Sequence, residues 1–192
     1  MDIRLRLQDY WKTLSDASYD TEAKASLIDS PLKAYKLDDL TVQVCRRLRG
    51  GIALSGCDAY LKSNDVYWFI EFKNREAVQI DPEDIRKKAY DSVSTVRMVV
   101  NQTITLDDLC QNAVFLVVYQ DEEPKTEDAI EQKTAELAEM EHIRWGLGRI
   151  QGKLYREVHT IPKSEFCGKW IPRIWGDENA QSLRNPSFQG IP

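Results

Sequence analysis

The sequence lacks any long hydrophobic run. No stretch approaches the ~20 consecutive apolar residues that a membrane-spanning helix needs. The N-terminal residues, MDIRLRLQDYW, contain no apolar segment of the kind that secretory signal peptides carry. We therefore expect a protein without a membrane partner and with a cytoplasmic location.

Cysteine and histidine are scarce. The four cysteines are scattered and form no C-x-x-C pair, which indicates reduced thiols and argues against a structural zinc site. Two histidines give little support for a Ser-His-Asp triad. The sequence also contains no internal repeat, no glycine-rich phosphate loop, no G-x-S-x-G elbow and no Rossmann fingerprint. It therefore gives no support to a nucleotide-binding loop or a serine hydrolase.

An excess of positive charge is absent as well. The formal net charge is −5, which argues against a protein that coats nucleic acid, because such binding depends on neutralising phosphates with Lys and Arg. The charge is unevenly distributed. Residues 121–141 contain nine acids and two lysines, whereas residues 142–192 contain eight Lys or Arg and four acids. A basic surface near the C-terminus is therefore still compatible with the sequence.

The most informative stretch is residues 56–74, GCDAYLKSNDVYWFIEFKN. A hairpin with a two-residue loop at Asn64 and Asp65 places Asp58 opposite Glu71. Side chains alternate along a strand, so both carboxylates lie on one face, while the other face is apolar and is expected to be a core face. The first face carries Asp58, Tyr60, Lys62, Tyr67, Phe69, Glu71 and Lys73, and the second carries Cys57, Ala59, Leu61, Val66, Trp68, Ile70 and Phe72.

Two carboxylates placed directly across a sheet repel each other, so we expect a cation beside them. Mg²⁺ or Mn²⁺ is suitable, because hard divalent cations bind through one or two carboxylates, waters and substrate phosphate oxygens. Lys73 lies two residues beyond Glu71. The alternative is that Asp58, Glu71 and Lys73 are only the solvated face of an ordinary antiparallel hairpin.

Asp58 followed by Glu71-Phe72-Lys73 resembles the signature of the PD-(D/E)XK, or restriction-endonuclease-like, nuclease superfamily. Cys57 stands where the pattern often has proline. The resemblance implies that Asp58 and Glu71 hold the metal, that the carbonyl of Phe72 assists, and that Lys73 acts on the attacking water. It implies a metal-dependent nuclease that hydrolyses phosphodiester bonds, and we expect DNA rather than RNA as its nucleic acid.

The predicted order of elements agrees with the core of this superfamily. Residues 37–49 read as a helix, residues 52–54 as a short strand, residues 81–100 as a long helix that begins at Asp81-Pro82, and residues 112–119 as a buried strand. The crossover makes the last strand parallel to the strand of Glu71. We therefore expect an α/β fold with a mixed sheet, in the order helix-strand-strand-strand-helix-strand, as the core (about 37–120) of a single domain over residues 1–192.

Two helices offer further candidates for the site. The helix before the hairpin often carries an additional acid in this superfamily, and here Asp38, Asp39 and Gln43 are available, although helix capping explains the aspartates as well. One branch carries Gln and Tyr with i, i+4 spacing on the helix after the hairpin. Arg86 and Tyr90 occupy that spacing here, with Arg86 in place of the Gln.

Basic side chains provide candidate contacts to nucleic acid. Lys87 and Lys88, next to Arg86, could meet the phosphate backbone, although a solvated helix face explains them equally well. Lys169 and Arg173 alternate with aromatic residues, an arrangement that can stack bases. Packing of these aromatic rings onto the domain is the alternative.

The flanking segments read as additions to the core. The N-terminal extension, residues 1–36, is expected to be helical, with helices over 2–14 and 21–28. A further helix is predicted over 127–147, followed by an aromatic and basic tail within 121–192. Glu139 and His142 form an E-x-x-H step, which without partners is more often coincidence than a metal site.

Two other functions are consistent with the sequence. The chain could be a catalytically inactive nuclease-like fold that acts as a binding module, in agreement with its acidic charge. It could instead be an immunity-type partner whose acidic residues 121–141 mimic nucleic acid. Many nucleases of this fold pair to cut both strands, so a homodimer or a protein partner is also compatible with the reading.

Overall fold

A computed structural model describes residues 6–47, 53–121 and 143–176. Short elements come first and the long helix and strands follow. They are a 3₁₀ turn (Leu7–Tyr10), β1 (Trp11–Thr13), α1 (Leu14–Ala17), β2 (Tyr19–Asp20), β3 (Ala25–Ser26), β4 (Lys33–Lys36), α2 (Leu37–Arg47), β5 (Ala59–Ser63), β6 (Val66–Lys73), α3 (Pro82–Thr95, continued by a π-helical turn, Val96–Val100), α4 (Leu106–Asn112), β7 (Ala113–Tyr119), a 3₁₀ turn (Leu147–Ile150), β8 (Glu157–Pro162), α5 (Lys163–Glu165), a π-helical turn (Phe166–Trp170) and α6 (Ile171–Trp175).

The main sheet is mixed, as the sequence predicts. Its six strands are ordered β1-β4-β5-β6-β7-β8, antiparallel from β1 to β6 and parallel from β6 to β8. Strands β2 and β3 form a separate two-stranded sheet. The mixed α/β character is therefore confirmed, and so is the parallel pairing of β7 with the strand of Glu71.

The central hairpin has the predicted register. Ala59 pairs with Ile70 and Ser63 with Val66, so Asp58, which immediately precedes β5, lies at the position opposite Glu71. Asn64 and Asp65 have φ values of 50° and 57°. Two consecutive residues with positive φ are the feature of a type I′ turn, whose twist matches that of the two strands.

Both faces of the hairpin are buried away from its turn, where Lys62 is half exposed; Glu71 is fully buried and Asp58 and Lys73 are largely buried, which contradicts the solvated-face alternative. Tyr60 and Phe69 pack in a core beneath α2 and α3. Trp68 and Ile70 pack on the other side against residues of α1, of the π-helical turn Phe166–Trp170 and of α6. Cys57 belongs to the α3 side, contrary to the predicted alternation, because it precedes the regular strand.

Helix α3 begins as predicted and continues to Val100 through its π-helical turn. The side chain of Asp81 accepts a hydrogen bond from the N–H of Glu83, and Pro82 occupies the first helical turn. Ile85, Ala89, Val93 and Val96 are buried against the sheet. The start of α2 at Leu37 is also confirmed, and the predicted end of that helix at 48–49 lies outside the described residues.

The predicted N-terminal helices are wrong. Within the described part of 2–14, Leu7–Tyr10 is a single 3₁₀ turn, Trp11–Thr13 is a strand, and the capping box between Thr13 and Asp16 begins the first α-helix at Leu14. In the segment 21–28, the Asp20 carboxylate accepts from the N–H groups of Glu22 and Ala23, which forms a turn between β2 and β3 instead of a helix.

The predicted strand at 52–54 is also wrong in its described part. Ala53 and Leu54 are irregular, and the edge of β5 that such a strand would occupy is taken by β4. The first strand of the core therefore precedes α2 instead of following it. The finer order helix-strand-strand-strand-helix-strand does not hold, and the sheet extends beyond 37–120 to β1, β4 and β8.

The C-terminal region is more regular than expected. β8 adds a parallel strand, and Phe166 and Trp170 are buried, as the packing alternative predicted. Most of the predicted helix 127–147, including Glu139 and His142, lies outside the described residues; its last part, 143–147, is not α-helical. Among the described helices, none has the length and apolarity needed to cross a membrane.

Candidate functional site

The carboxylates of the hairpin line a cavity at one end of the sheet. Its volume is about 570 Å³, and its walls come from the hairpin, from the start of α3 and from the segment around β2. Six acids and three basic residues line it. These are Asp20, Glu22, Asp58, Glu71, Asp81 and Asp84, with Lys73, Arg75 and Lys88.

Glu71 is the innermost acid of this cavity. Its side chain is 0% exposed, because Glu71 lies near the end of β6 beneath α3. Oε1 contacts the ammonium groups of Lys88 at 2.7 Å and Lys73 at 3.0 Å. Oε2 is buried and has no hydrogen-bond partner among the described residues. An oxygen in this state is costly unless another donor or a cation reaches it.

Asp58 is held beside Glu71 by the main chain of the same hairpin. The N–H of Phe72 donates to Oδ2 of Asp58 at 2.6 Å, and the side chain is 15% exposed. Burial and the neighbouring charge of Glu71 raise the pKa of Asp58 to about 8, against the attraction of Lys88. The pair therefore favours a bound proton or an added positive charge.

Lys73 forms ion pairs with two acids. Its Nζ lies 3.0 Å from Oε1 of Glu71 and 2.7 Å from Oδ2 of Asp84, in the first turn of α3. Burial opposes the charge, but Glu71 and Asp84 hold the pKa of Lys73 above its usual value. The amine is therefore protonated at neutral pH. Sequence reasoning missed Asp84, although its position in the first turn of the helix after the hairpin is a usable signal.

Lys88 lies within the site itself. Its Nζ is 2.7 Å from Oε1 of Glu71 and 3.7 Å from Oδ1 of Asp58. Burial opposes its charge, but the two acids hold the pKa of Lys88 well above its usual value. The sequence identified Lys88 only as a candidate phosphate contact; its i, i+4 spacing from Asp84 places both side chains on one face of α3.

Helix α3 also holds in place the residues that immediately precede Asp58. The Oγ of Ser92 accepts a hydrogen bond from the N–H of Cys57 at 2.8 Å, and the carboxylate of Asp91 accepts from the N–H of Ser55 at 2.8 Å. The N–H of Leu37 donates to the carbonyl of Asp58. The irregular residues before β5 are thus tied to both flanking helices, which sets the position of the first acid.

Asp38, rather than Asp39, is the perturbed acid at the start of α2. Burial raises the pKa of Asp38 to about 6, and its Oδ1 lacks a hydrogen-bond partner within the described parts of the chain. Asp39 forms a 3.7 Å ion pair with Lys36 and borders a separate surface cavity. Asp39 therefore does not join the hairpin acids.

The other predicted residues of α3 point elsewhere. Arg86 donates to the carbonyl of Trp145 at 3.1 Å. Tyr90 is 54% exposed and borders a different cavity. Lys87 contacts Asp91 and the carbonyl of Ala53. The structure therefore does not bring Arg86, Tyr90 or Lys87 to the cavity.

Lys169 and Arg173 lie on the opposite side of the sheet. Lys169 pairs with Glu165, and Arg173 stacks over the rings of Trp68 and Trp170. These two tryptophans belong to the core on the side away from α3. Lys169 and Arg173 are therefore separated from the hairpin acids by the sheet itself.

Few side chains at the cavity are suitable metal ligands. Across residues 6–47, 53–121 and 143–176, no group of three or more His, Cys, Asp or Glu side chains is arranged to hold a metal ion. Asp58, Glu71 and the backbone around Phe72 nevertheless lie together at the cavity. Two carboxylates, one with an unpartnered oxygen, fit a Mg²⁺ ion that keeps several waters and takes its remaining oxygens from a substrate phosphate.

Comparison of the chain with known proteins adds no family to this description. No protein-family model matches the chain, and no curated protein and no solved structure matches it significantly.

Proposed function

We propose that this protein is a metal-dependent nuclease that hydrolyses phosphodiester bonds of nucleic acid, with DNA as the expected substrate. The observation that carries the proposal is the pairing of Asp58 with a fully buried Glu71 at a cavity, with Oε2 of Glu71 unpartnered among the described residues. This arrangement is what the resemblance to the PD-(D/E)XK superfamily implies for these residues. A buried carboxylate oxygen without a partner, as at Oε2 of Glu71, is costly unless a further donor or a cation reaches it.

The residues of the site have separate roles in the proposed reaction. Asp58 and Glu71 supply carboxylate oxygens for Mg²⁺ or Mn²⁺, and the Phe72 backbone keeps Asp58 in place through its N–H. When bound, the ion would supply Lewis acidity toward the scissile phosphate and the attacking water. Lys73 is protonated, so it would donate a hydrogen bond to the attacking water or stabilise charge developing on the phosphate, and the proton of the water would pass to solvent and not to Lys73.

The experiment is a cleavage assay on double-stranded DNA, single-stranded DNA and RNA, with and without Mg²⁺ or Mn²⁺. We expect cleavage that a chelator abolishes and that Glu71→Gln, Asp58→Asn or Lys73→Met reduces by at least about 10²-fold. Lys62→Met, which changes a half-exposed lysine at the turn of the hairpin outside the cavity, is the matched control and should cleave like the wild type. Cleavage at the full rate by Asp58→Asn would overturn the proposal.

A binding module with a nuclease-like core is the second candidate. The observation that favours it is charge: Lys73 and Lys88 already pair with the hairpin acids, and acids outnumber basic residues around the cavity by six to three. A melting temperature that does not change with Mg²⁺ or Mn²⁺ would favour this candidate, because only a ligand that binds the folded state raises it. The immunity-type alternative depends on residues 121–141, of which only Asp121 is described.

A further inference from the structure

Lys88 is placed so that it bridges the two acids of the hairpin. Its ammonium lies 2.7 Å from Glu71 and 3.7 Å from Asp58, and its side chain is largely buried. The backbone at Lys88 is fixed as well, because Ser92, one turn further along α3, donates to the Lys88 carbonyl and accepts from the N–H of Cys57. The Lys88 ammonium is therefore held in contact with both carboxylates.

This ammonium does for the carboxylates what a bound divalent cation would do. It places positive charge against both acids in a site where the dielectric constant is low. A divalent cation bound to the same oxygens would lie close to the Lys88 ammonium. The metal ion and the ammonium repel each other, so they compete for Asp58 and Glu71.

We propose that Lys88 is an internal counter-ion that holds Asp58 and Glu71 together without metal and competes with the divalent metal for their oxygens. The proposal rests on the proposed function, since its competitor is the metal of that site. Lys88 is a positioning residue in this account, because it acts through the two acids.

Lys88 has space into which its ammonium can move when the metal binds. Its side chain borders the cavity of about 570 Å³, and the flexible four-carbon stem of lysine allows the ammonium to move without displacing α3. Lys73 is less suited to this role, because Asp84 also holds its ammonium, at 2.7 Å. The competition therefore falls on Lys88.

The test is a calorimetric titration of the full chain with Mg²⁺ at about pH 8.5 and again at about pH 9.5, so that proton competition at Asp58, which the loss of Lys88 strengthens, is separated from metal binding. Lys88→Met removes the ammonium, and Lys88→Gln keeps a hydrogen-bond donor for Glu71. Lys62→Met is the matched control, because Lys62 pairs with Asp65 at the turn of the hairpin, outside the cavity. The melting temperature of each variant is measured with and without Mg²⁺.

We expect both Lys88 variants to bind Mg²⁺ at least about tenfold more tightly than the wild type, since a repelling charge is removed. Without metal they should melt lower than the wild type, and Mg²⁺ should restore the melting temperature. Lys62→Met should match the wild type in affinity. A merely structural role for Lys88 would lower the melting temperature without tightening Mg²⁺ binding.

The outcomes separate this proposal from the proposed function. If the wild type binds Mg²⁺ and the Lys88 variants bind it no more tightly, the counter-ion proposal is overturned and the nuclease proposal stands. If only the Lys88 variants bind Mg²⁺, the counter-ion proposal is supported and metal-dependent activity of the native chain is contradicted. Failure of both variants to bind Mg²⁺, or to fold at any Mg²⁺ concentration, would overturn the counter-ion proposal.

Discussion

At the scale of single residues, burial controls how the acids around the hairpin ionise. Burial raises the pKa of Asp58 to about 8 and that of Asp38 to about 6, and in Asp58 the charge of Glu71 adds to the effect. Asp84 behaves differently: burial opposes its ionisation, but the hydrogen bond from Lys73 lowers its pKa. Neighbouring acids thus differ in charge because their contacts differ.

Replacing Asp38 with Asn should stabilise the protein at high pH. The pKa of Asp38 rises from 3.8 to about 6 on folding, so its contribution to stability is full below 3.8 and is lost as pH rises through about 6. Asn does not ionise, so the Asp38→Asn variant does not lose stability as the pH rises. We expect its free energy of unfolding to exceed that of the wild type by up to about 3 kcal/mol at about pH 8, and to differ little at about pH 4.

Urea unfolding at the two pH values measures this difference. Asp39→Asn is the control, because Asp39 is the exposed neighbour of Asp38 in the same turn. A stabilisation of Asp38→Asn that is the same at both pH values would show that ionisation of Asp38 is not its source.

Binding of metal at the hairpin should depend on pH through Asp58. A proton occupies this carboxyl below its pKa of about 8 and must leave before a cation binds. We expect the association constant for Mg²⁺ to rise with pH up to about pH 8, by at most about tenfold per pH unit. Calorimetric titrations at a series of pH values measure it, and an affinity that does not change below about pH 8 would contradict the assignment.

At the scale of elements, the site depends on how the loop before β5 fits between two helices. Gly56 has no side chain, and an added Cβ would lie 2.3 Å from Oγ1 of Thr41 on α2 and 3.1 Å from the carbonyl of Leu37. Thr41 is itself fixed by a 3.0 Å hydrogen bond to Thr95 of α3. The loop therefore approaches α2 as closely as only glycine allows.

Gly56→Ala should destabilise the protein by about 1–3 kcal/mol, because the new methyl group overpacks against α2. Thr41→Ala removes the closest atom, so the cost of Gly56→Ala should be smaller in that background. A double-mutant cycle by urea unfolding measures the coupling. Gly148→Ala is the control, since nothing lies within 4 Å of a Cβ there. Equal costs of Gly56→Ala in both backgrounds would contradict the close approach.

Elements with strong local signals were predictable from the sequence. The Asn64-Asp65 turn fixed the hairpin register, Asp81-Pro82 marked the start of α3, and the apolar run of β7 marked a buried strand. The acid pair followed from the register. Lys88 could not be assigned to the acids, because a helix pattern does not say where along the sheet the helix packs.

The missed elements lack such signals. β1 and β4 have three and four residues, too few to show alternation, and they are strands because they pair with each other and with β5. The β2–β3 turn depends on hydrogen bonds that the N–H groups of Glu22 and Ala23 donate to the Asp20 carboxylate, and Lys24 adopts a positive φ within it. Tertiary pairing and turn chemistry override helix-like spacing there.

At the scale of the whole molecule, the N-terminal residues are part of the sheet and of the core. β4 covers the edge of β5, and Leu14, Leu27 and Ile28 are buried with Trp68 on the side of the sheet away from α3. Arg75, just after β6, forms an ion pair with Glu22 between β2 and β3. The cavity therefore exists only when the N-terminal segment is in place.

A chain that begins at Leu37 should fail to fold cooperatively. It would expose the edge of β5 and the apolar surface that residues 14–28 cover, and the hydrophobic burial lost would exceed the few kcal/mol by which a domain is stable. Thermal unfolding followed by near-ultraviolet circular dichroism measures cooperativity. Leu27→Ala in the full chain is the milder control, with an expected cost of about 2–5 kcal/mol. A cooperative transition of the truncated chain would show that residues 37–192 form an independent core.

A crystal structure of the protein soaked in Mn²⁺, with anomalous scattering used to locate the ion, would show whether Asp58 and Glu71 bind a metal. We expect a peak between Asp58 and Glu71, about 2 Å from an oxygen of each, with the Lys88 ammonium moved into the cavity. Absence of a peak, with Lys88 still bridging the two carboxylates, would contradict the claim that this acid pair is a metal site.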